Sequence, residues 1–282
     1  MIVKVAYGPG RTLALRLVVT CALALSAALA PPLYCADDDM VFIPEGEFLM
    51  GSADEQIEKL KEVYGKHRLY GAYPFDWEKP QRHIVLKAFY IDKYEVSNRR
   101  YAKYVKATNA KPPLNWVNRV PQPYYADHPV LFISQEEAKA FAKWAGKRLP
   151  TEAEWEKAAR GVKGGVYPWG DEFDPYMAAT ADSDLKLIIG ALNAANHANR
   201  IGLSPGDVSP FGVHDMAGNV REWTSSSDKK DPTMKVVKGA SWVDLSLLAR
   251  SAHREFVYKD FRSHIIGFRL VKDAKAGKTN KR

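Results

Sequence analysis

The first clear pattern lies at residues 40–52, "MVFIPEGEFLMGS", where apolar positions alternate on either side of Pro-Glu-Gly. A period of two around a turn dipeptide predicts two short strands. The charged stretch "ADEQIEKLKEVYGKH" that follows reads as a short exposed helix, and "HIVLKAFYID" alternates again as a strand. Ser97 is placed to cap a helix carrying Tyr101, Tyr104 and Val105. The proline-rich "KPPLNWVNRVPQPYYADHPV" is a loop. Two better-marked helices come next. Ser134 with Glu137, and Thr151 with Glu154, each form a capping box in which hydroxyl and carboxylate serve reciprocal backbone amides. Ala138, Phe141, Ala142 and Ala145 give the first an apolar stripe; Trp155, Ala158, Ala159 and Val162 give the second its own.

From residue 162 to 235 the periodicity fades into Gly, Pro, Asn and Asp interrupted by aromatics. "YPWGDEF" and "FGVHDMAGNVREW" read there as loops tied down by buried rings and an ion. "KVVKGAS" and "IIGFRLV" close the chain as strands. A stretch just before the end, "KGASWVDLSLLARSAHRE", is too polar for a core strand and too ordered for a tail. It has the mixture of a pocket wall.

Composition changes this picture mainly at the ends. Lys4, Arg11 and Arg16 precede "LVVTCALALSAALA", an uncharged run of 14 residues. A basic start, a short apolar stretch and small residues describe a signal peptide. A membrane helix needs about 20 apolar residues, so a lasting anchor is not expected. Cleavage is expected within 28–36, after Ala30 or after Ala36. The bulky Tyr34 argues against lipid attachment at Cys35. The chain therefore divides into a signal peptide, 1–36, one domain, 37–271, and a basic tail, 272–282. Export to the periplasm or cell surface follows. The pI near 9.2 arises from these two ends, since residues 1–36 hold three basic groups and the tail five. The body between is nearly neutral, which implies no face for nucleic acid.

Both cysteines, Cys21 and Cys35, fall in the leader. The mature domain thus has no thiol for a disulfide, a nucleophile or a copper-thiolate centre. Its size is sufficient to bury a core without disulfides. None of the seven histidines forms a His-x-x-x-His pair.

Taken in order, "FIPEGEFLMGS", "EKPQRHIVLKAFYIDKYEVSN", "HPVLFISQEEAKAFAKWAGKRLPTEAEWEKAARG", "YPWGD", "SPFGVHDMAGNVREWTSS", "VVKGASW", "ARSAHR" and "GFRLV" resemble the formylglycine-generating enzyme (sulfatase-modifying factor) family. The resemblance runs from about Val41 to Val271. It implies an α+β, loop-rich C-type-lectin-like fold with little regular secondary structure. It also implies an enzyme that oxidises a cysteine of an unfolded sulfatase, using oxygen and a copper ion held by two cysteines. The first cysteine belongs three residues after the motif serine, Ser241, where this chain has Asp244. The second belongs in the next few residues, and "LSLLA" contains none. Arg221 stands where the family has an aromatic residue, and His253 where it usually has a tyrosine. One carboxylate cannot replace two soft thiolates, so copper is not expected.

A structural calcium ion is a further implication of the resemblance. Its ligands would be Asp215, the carbonyls of Gly218 and Val220, and Glu222; hard oxygens on a tight turn suit calcium. A second family site falls near Asn196. The alternative is that Asp215 and Glu222 only hydrogen-bond the loop.

The residues leave more than one function open. A binding or regulatory module for a protein or peptide partner in the cell envelope would use Trp242, Arg250, Arg254 and Arg221 as contacts. An exported tailoring oxidase or other enzyme acting on a peptide-like small molecule would use Glu255, Asp244 and His253 as acid–base groups, with Ser241 and Arg250 positioning substrate. True formylglycine synthesis is a lesser alternative, since both cysteines are missing. Against both, Arg250, Arg254 and Arg269 equally suit structural ion pairs. Sugar binding through the calcium loop is the weakest alternative, because the ion would lie inside the framework.

Overall fold

The computed structural model describes residues 39–66, 73–181 and 198–274. The expected leader, most of the basic tail and Asn196 lie outside them. Among the described residues no helix is long and apolar enough to cross a membrane.

The turn-flanked pair at the start forms β1 (Met40–Ile43) and β2 (Gly46–Met50). They do not pair with each other. The single strand expected over "HIVLKAFYID" breaks at Lys87 and Ala88 into β3 (Arg82–Leu86) and β4 (Phe89–Asp92). β3 pairs with β2, while β4 pairs with β1. The break lets one run of sequence serve two sheets.

Helix α1 (Asp54–Tyr64) has no side-chain acceptor at its cap, Ala53, but Gln56 Oε1 takes the Ala53 amide at 2.9 Å. Helix α2 (Asn98–Thr108) is capped by Ser97, whose hydroxyl accepts from the Arg100 amide. Both expected capping boxes are present, on α3 (Gln135–Trp144) and α4 (Glu152–Arg160). Such caps stabilise a helix by about 1 kcal/mol each. The stripe of α4 stops short of Val162, which lies past the helix and is exposed. Tyr101 of α2 stacks on Phe141 of α3, with centroids 5.2 Å apart, in a core shared with Trp223 and Phe268. Trp155 of α4 centres a second core with Ile43, Phe89 and Met216.

Two strands escape the sequence reading, β5 (Arg221–Ser227) and β7 (Arg254–Tyr258). With β6 (Met234–Lys238) and β8 (Ile266–Gly267) they form a four-stranded sheet in the order β7-β6-β5-β8. Its β5–β8 pairing is parallel. Strand β9 (Val271–Asp273) completes the β1-β4-β9 sheet and runs two residues past the expected domain end. Among the described residues, three small sheets, four α-helices and long irregular segments match the α+β, loop-rich expectation.

Candidate functional site

Side chains alternate across a strand, so β5 sends Arg221 and Trp223 to one face of the sheet and Glu222 to the other. Val237 of β6 lies opposite Trp223, and Glu255 of β7 lies opposite Val237. Arg221 and Glu255 therefore share a face, at its edge. Residues 241–244 turn back over that edge, where Asp244 accepts from both the amide and the hydroxyl of Ser241, at 2.7 and 2.6 Å.

Arg221 grips Asp244 with two parallel hydrogen bonds, Nε to Oδ2 at 2.8 Å and Nη2 to Oδ1 at 2.7 Å. Its remaining nitrogen, Nη1, donates to Glu255 Oε2. Burial works against the Arg221 charge, but Asp244 and Glu255 outweigh it and raise its pKa. Asp244 is saturated by four donors. Glu255 is not: burial raises its pKa, Arg221 opposes that shift and Asp244 adds to it. Its side chain is 21% exposed, against 9% for Asp244. His253 Nε2 lies 3.7 Å from Glu255 Oε1, and the Tyr73 hydroxyl lies 2.5 Å from His253 Nδ1. Burial, then the charges of Arg250, Arg221 and Lys238, holds the His253 pKa well below 6.5. Burial and the nearby Glu255 charge raise that of Tyr73. The imidazole is thus held neutral, with Nδ1 bonded to the Tyr73 hydroxyl and Nε2 turned toward Glu255.

Trp242 borders this cluster. Its ring is half-buried against Leu131, Ala198 and Val220 and meets His264 edge-on at 5.9 Å. Structure thus brings together Arg221, Ser241, Trp242, Asp244, His253 and Glu255, as the motif order suggested. It adds Tyr73, a partner 180 residues from His253, which no local signal in the sequence marks.

The other two expected contacts are engaged elsewhere. Arg250 is 3% exposed, paired with buried Glu78 and donating to the Leu247 carbonyl. Arg254 points to the opposite face, where Nη1 meets Glu152 at 2.9 and 3.2 Å and the guanidinium lies over Phe256. In this structure both are framework residues, because their charge is already matched.

The turn at 215–219 is tight. Asp215 and Asn219 adopt positive φ of 56° and 69°, a conformation their short polar side chains tolerate. Gly218 passes so close to Ala179 that a Cβ would stand 2.7 Å from its carbonyl oxygen. Glu222 does not fit a calcium ligand. Both of its oxygens are held by Arg269, at 2.7 to 2.9 Å, and Oε2 also accepts from Trp155 Nε1. Asp215 fits better. It accepts from the Gly202 amide beside Glu95, whose Oε2 is buried with no hydrogen-bond partner. Burial and the charge of Asp215 push the Glu95 pKa well up. Among the described residues no three His, Cys, Asp or Glu side chains converge as a metal cluster. Copper fits less well still, since Asp244 is bound to Arg221 and the buried Ala249 ends the segment where the second thiolate belongs.

Comparison with known proteins gives the family and the fold. A sulfatase-modifying factor enzyme 1-like domain matches residues 28–274. The mouse protein named inactive C-alpha-formylglycine-generating enzyme 2 is 30% identical over 294 residues, covering 86% of this chain and 88% of its own. The formylglycine-generating enzyme of Thermomonospora curvata is 30% identical over 266 residues, covering 72% and 82%. Among solved structures, PvdO from Pseudomonas aeruginosa superposes with a TM-score of 0.64 at 24% identity, over 83% of this chain and 94% of that one. At that identity the likeness shows the fold.

Proposed function

The chain belongs to the sulfatase-modifying factor (formylglycine-generating enzyme) family, with its loop-rich, C-type-lectin-like fold, and on that premise we propose that it is an exported binding or regulatory module for a peptide or protein partner. One observation carries this reading. Where the resemblance places the first copper thiolate, Asp244 is locked to Arg221, the residue that replaces the family's aromatic. The two replacements form one ion pair. Neither partner is free to cycle an electron or take up a soft metal. The mouse relative named as an inactive enzyme gives the same reading independent support.

What remains is a recognition surface. Trp242 offers a flat apolar ring beside the charged edge, and rings of this kind supply large contact area at low entropic cost. Glu255 is the least saturated charged group at that edge. A calcium ion at the 215–222 turn would be held by Asp215 with Glu95 rather than by Glu222. It would neutralise buried negative charge and stiffen the loop beneath the surface.

A degenerate heptapeptide library tests the proposal. The mature protein should retain a defined subset of peptides. Trp242→Ala should weaken that binding by at least about tenfold, the loss of a central aromatic anchor, while melting cooperatively. Glu255→Gln, which removes charge without removing volume, should weaken it as well. Retention of no peptide by the wild type would overturn the proposal.

The grouping of Tyr73, His253 and Glu255 favours a second reading, a tailoring oxidase or other enzyme acting on a peptide-like small molecule with Glu255 as the acid–base group. A raised carboxyl pKa beside a neutral imidazole suits proton transfer. Chemical conversion of a retained library component, abolished by Glu255→Gln with the fold intact, would replace the first reading with this one.

A further inference from the structure

A cavity of 670 Å³ opens beside α1, lined by residues outside the Arg221–Asp244 cluster. It falls in the volume range of small-molecule sites. Its lining includes two guanidinium groups that are already rigid. Arg160 donates to the carbonyls of Gly51, Gly164 and Gly165 and to Glu156, at 2.7 to 3.0 Å. Arg250 is fixed by Glu78 and Leu247. Glu78 matches Arg250, but Glu156 faces two cations, Arg160 and Lys238. One positive charge behind the cavity is therefore left unmatched. Lys59 of α1 and Lys163 add two exposed ammonium groups to the lining, and neither has an ion-pair partner among the described residues.

Two acids also border the space, Asp171 and Glu172. Asp171 accepts from the Val166 amide, which makes it part of the turn. The remaining balance is positive. One wall is aromatic. Tyr167 lies 5.4 Å from Phe173, and Trp169 stacks behind Tyr167 at 5.3 Å with ring planes 6° apart. Leu49, Leu60 and Val166 complete the apolar part.

We propose that this cavity binds an aromatic carboxylate, its ring against Tyr167 and Phe173 and its anion directed to Lys59 and Lys163. The one unmatched positive charge behind the lining supplies a fixed field that needs no reorganisation on binding. The exposed lysines close the contact, and the braced rings accept a flat apolar body. The site is distinct from the Arg221–Asp244 cluster and does not depend on how that cluster works. Its ligand is either a free aromatic acid or the carboxyl end of a peptide finishing in an aromatic residue.

Titration calorimetry of the whole mature protein tests this, with Trp fluorescence as a second readout because Trp169 stacks on the wall. The probes are 2-naphthoate and the neutral 2-naphthamide, alongside Gly-Gly-Phe and its amide. The acids should bind at least about tenfold more tightly than their amides, the scale of a charge-assisted contact. A Lys59→Ala and Lys163→Ala double variant should remove most of that preference without changing Tm, since both side chains are exposed. Tyr167→Leu should weaken acid and amide alike. If 2-naphthoate binds more tightly than Gly-Gly-Phe the ligand is a free acid, and the reverse order assigns a peptide end. Equal binding of acid and amide, no binding of either, or a preference untouched by the double variant would each overturn the proposal.

Discussion

Arg221 and Glu222 are adjacent residues on one strand, yet they belong to different parts of the molecule. Glu222 faces the core, is fully buried, and meets Arg269 through both oxygens. Arg221 faces the edge, keeps 12% of its side chain exposed, and divides its fork between Asp244 and Glu255. The first pair is closed in composition and surroundings. The second has two carboxylates for one guanidinium and a solvent-facing side. An ion pair sealed in a core fixes the architecture, whereas one left unbalanced at an edge retains the capacity to engage something else. The same strand thus carries a sealed ion pair at Glu222 and the candidate site at its first residue, Arg221, while Trp223 on the Arg221 face enters the core.

Removing one partner from each pair is the strongest way to break this comparison. Arg269→Met leaves Glu222 buried and unmatched, and should cost about 3–5 kcal/mol in urea unfolding. Calcium should act on the same side of the sheet. An ion binding only the native state at a hundredfold excess over Kd stabilises by about 2.7 kcal/mol. Chelation should lower Tm, and Asp215→Ala should remove most of the response. Unchanged melting after chelation would refute the calcium proposal.

Arg221→Met should cost less than Arg269→Met, about 1–3 kcal/mol, because Asp244 keeps both Ser241 donors and Glu255 keeps access to water. A double-mutant cycle with Asp244→Leu should return a coupling of about 0.5–3 kcal/mol. Equal losses for the two arginines would erase the distinction between frame and site.

The pH dependence of His253 sharpens the edge half. Its folded pKa lies well below 6.5, so the unfolded chain takes up the proton first as pH falls. The stability that neutral His253 contributes is complete above the ordinary value and is lost as pH drops below it. Wild type minus His253→Gln should therefore decline between about pH 7 and 5, by at most about 1.4 kcal/mol per pH unit. A flat difference curve would show that the imidazole is not held neutral. The smallest effect belongs to Arg254. Its pair with Glu152 is 21% and 13% exposed, and Arg254→Ala should cost no more than about 1 kcal/mol.

How far the chain could be read depended on whether a signal was local. Ser97, Ser134 and Thr151 announced α2, α3 and α4 because a cap and the residue three positions on are close in sequence. β5 and β7 carried no such mark. "REWTSSS" and "REFVY" place charged residues at half-buried or buried positions, so their polarity imitates a loop until Arg269 and Glu152 supply the partners. The site followed the same rule. Ser241 and Asp244, three residues apart in one motif, were each legible as site candidates. Tyr73 was not, since its meeting with His253 depends on two segments folding together. Arg250 looked available because Glu78, 172 residues away, was invisible as its partner.

The most direct test of the central claim concerns the place where Arg221 and Asp244 meet. The purified protein is incubated with copper, oxygen and a Cys-x-Pro-x-Arg peptide, and the peptide is assayed for aldehyde by mass spectrometry and hydrazide capture. If that edge holds charge in place of a redox centre, no aldehyde forms above a protein-free control at any copper concentration. Aldehyde formed in a copper-dependent manner would contradict the account.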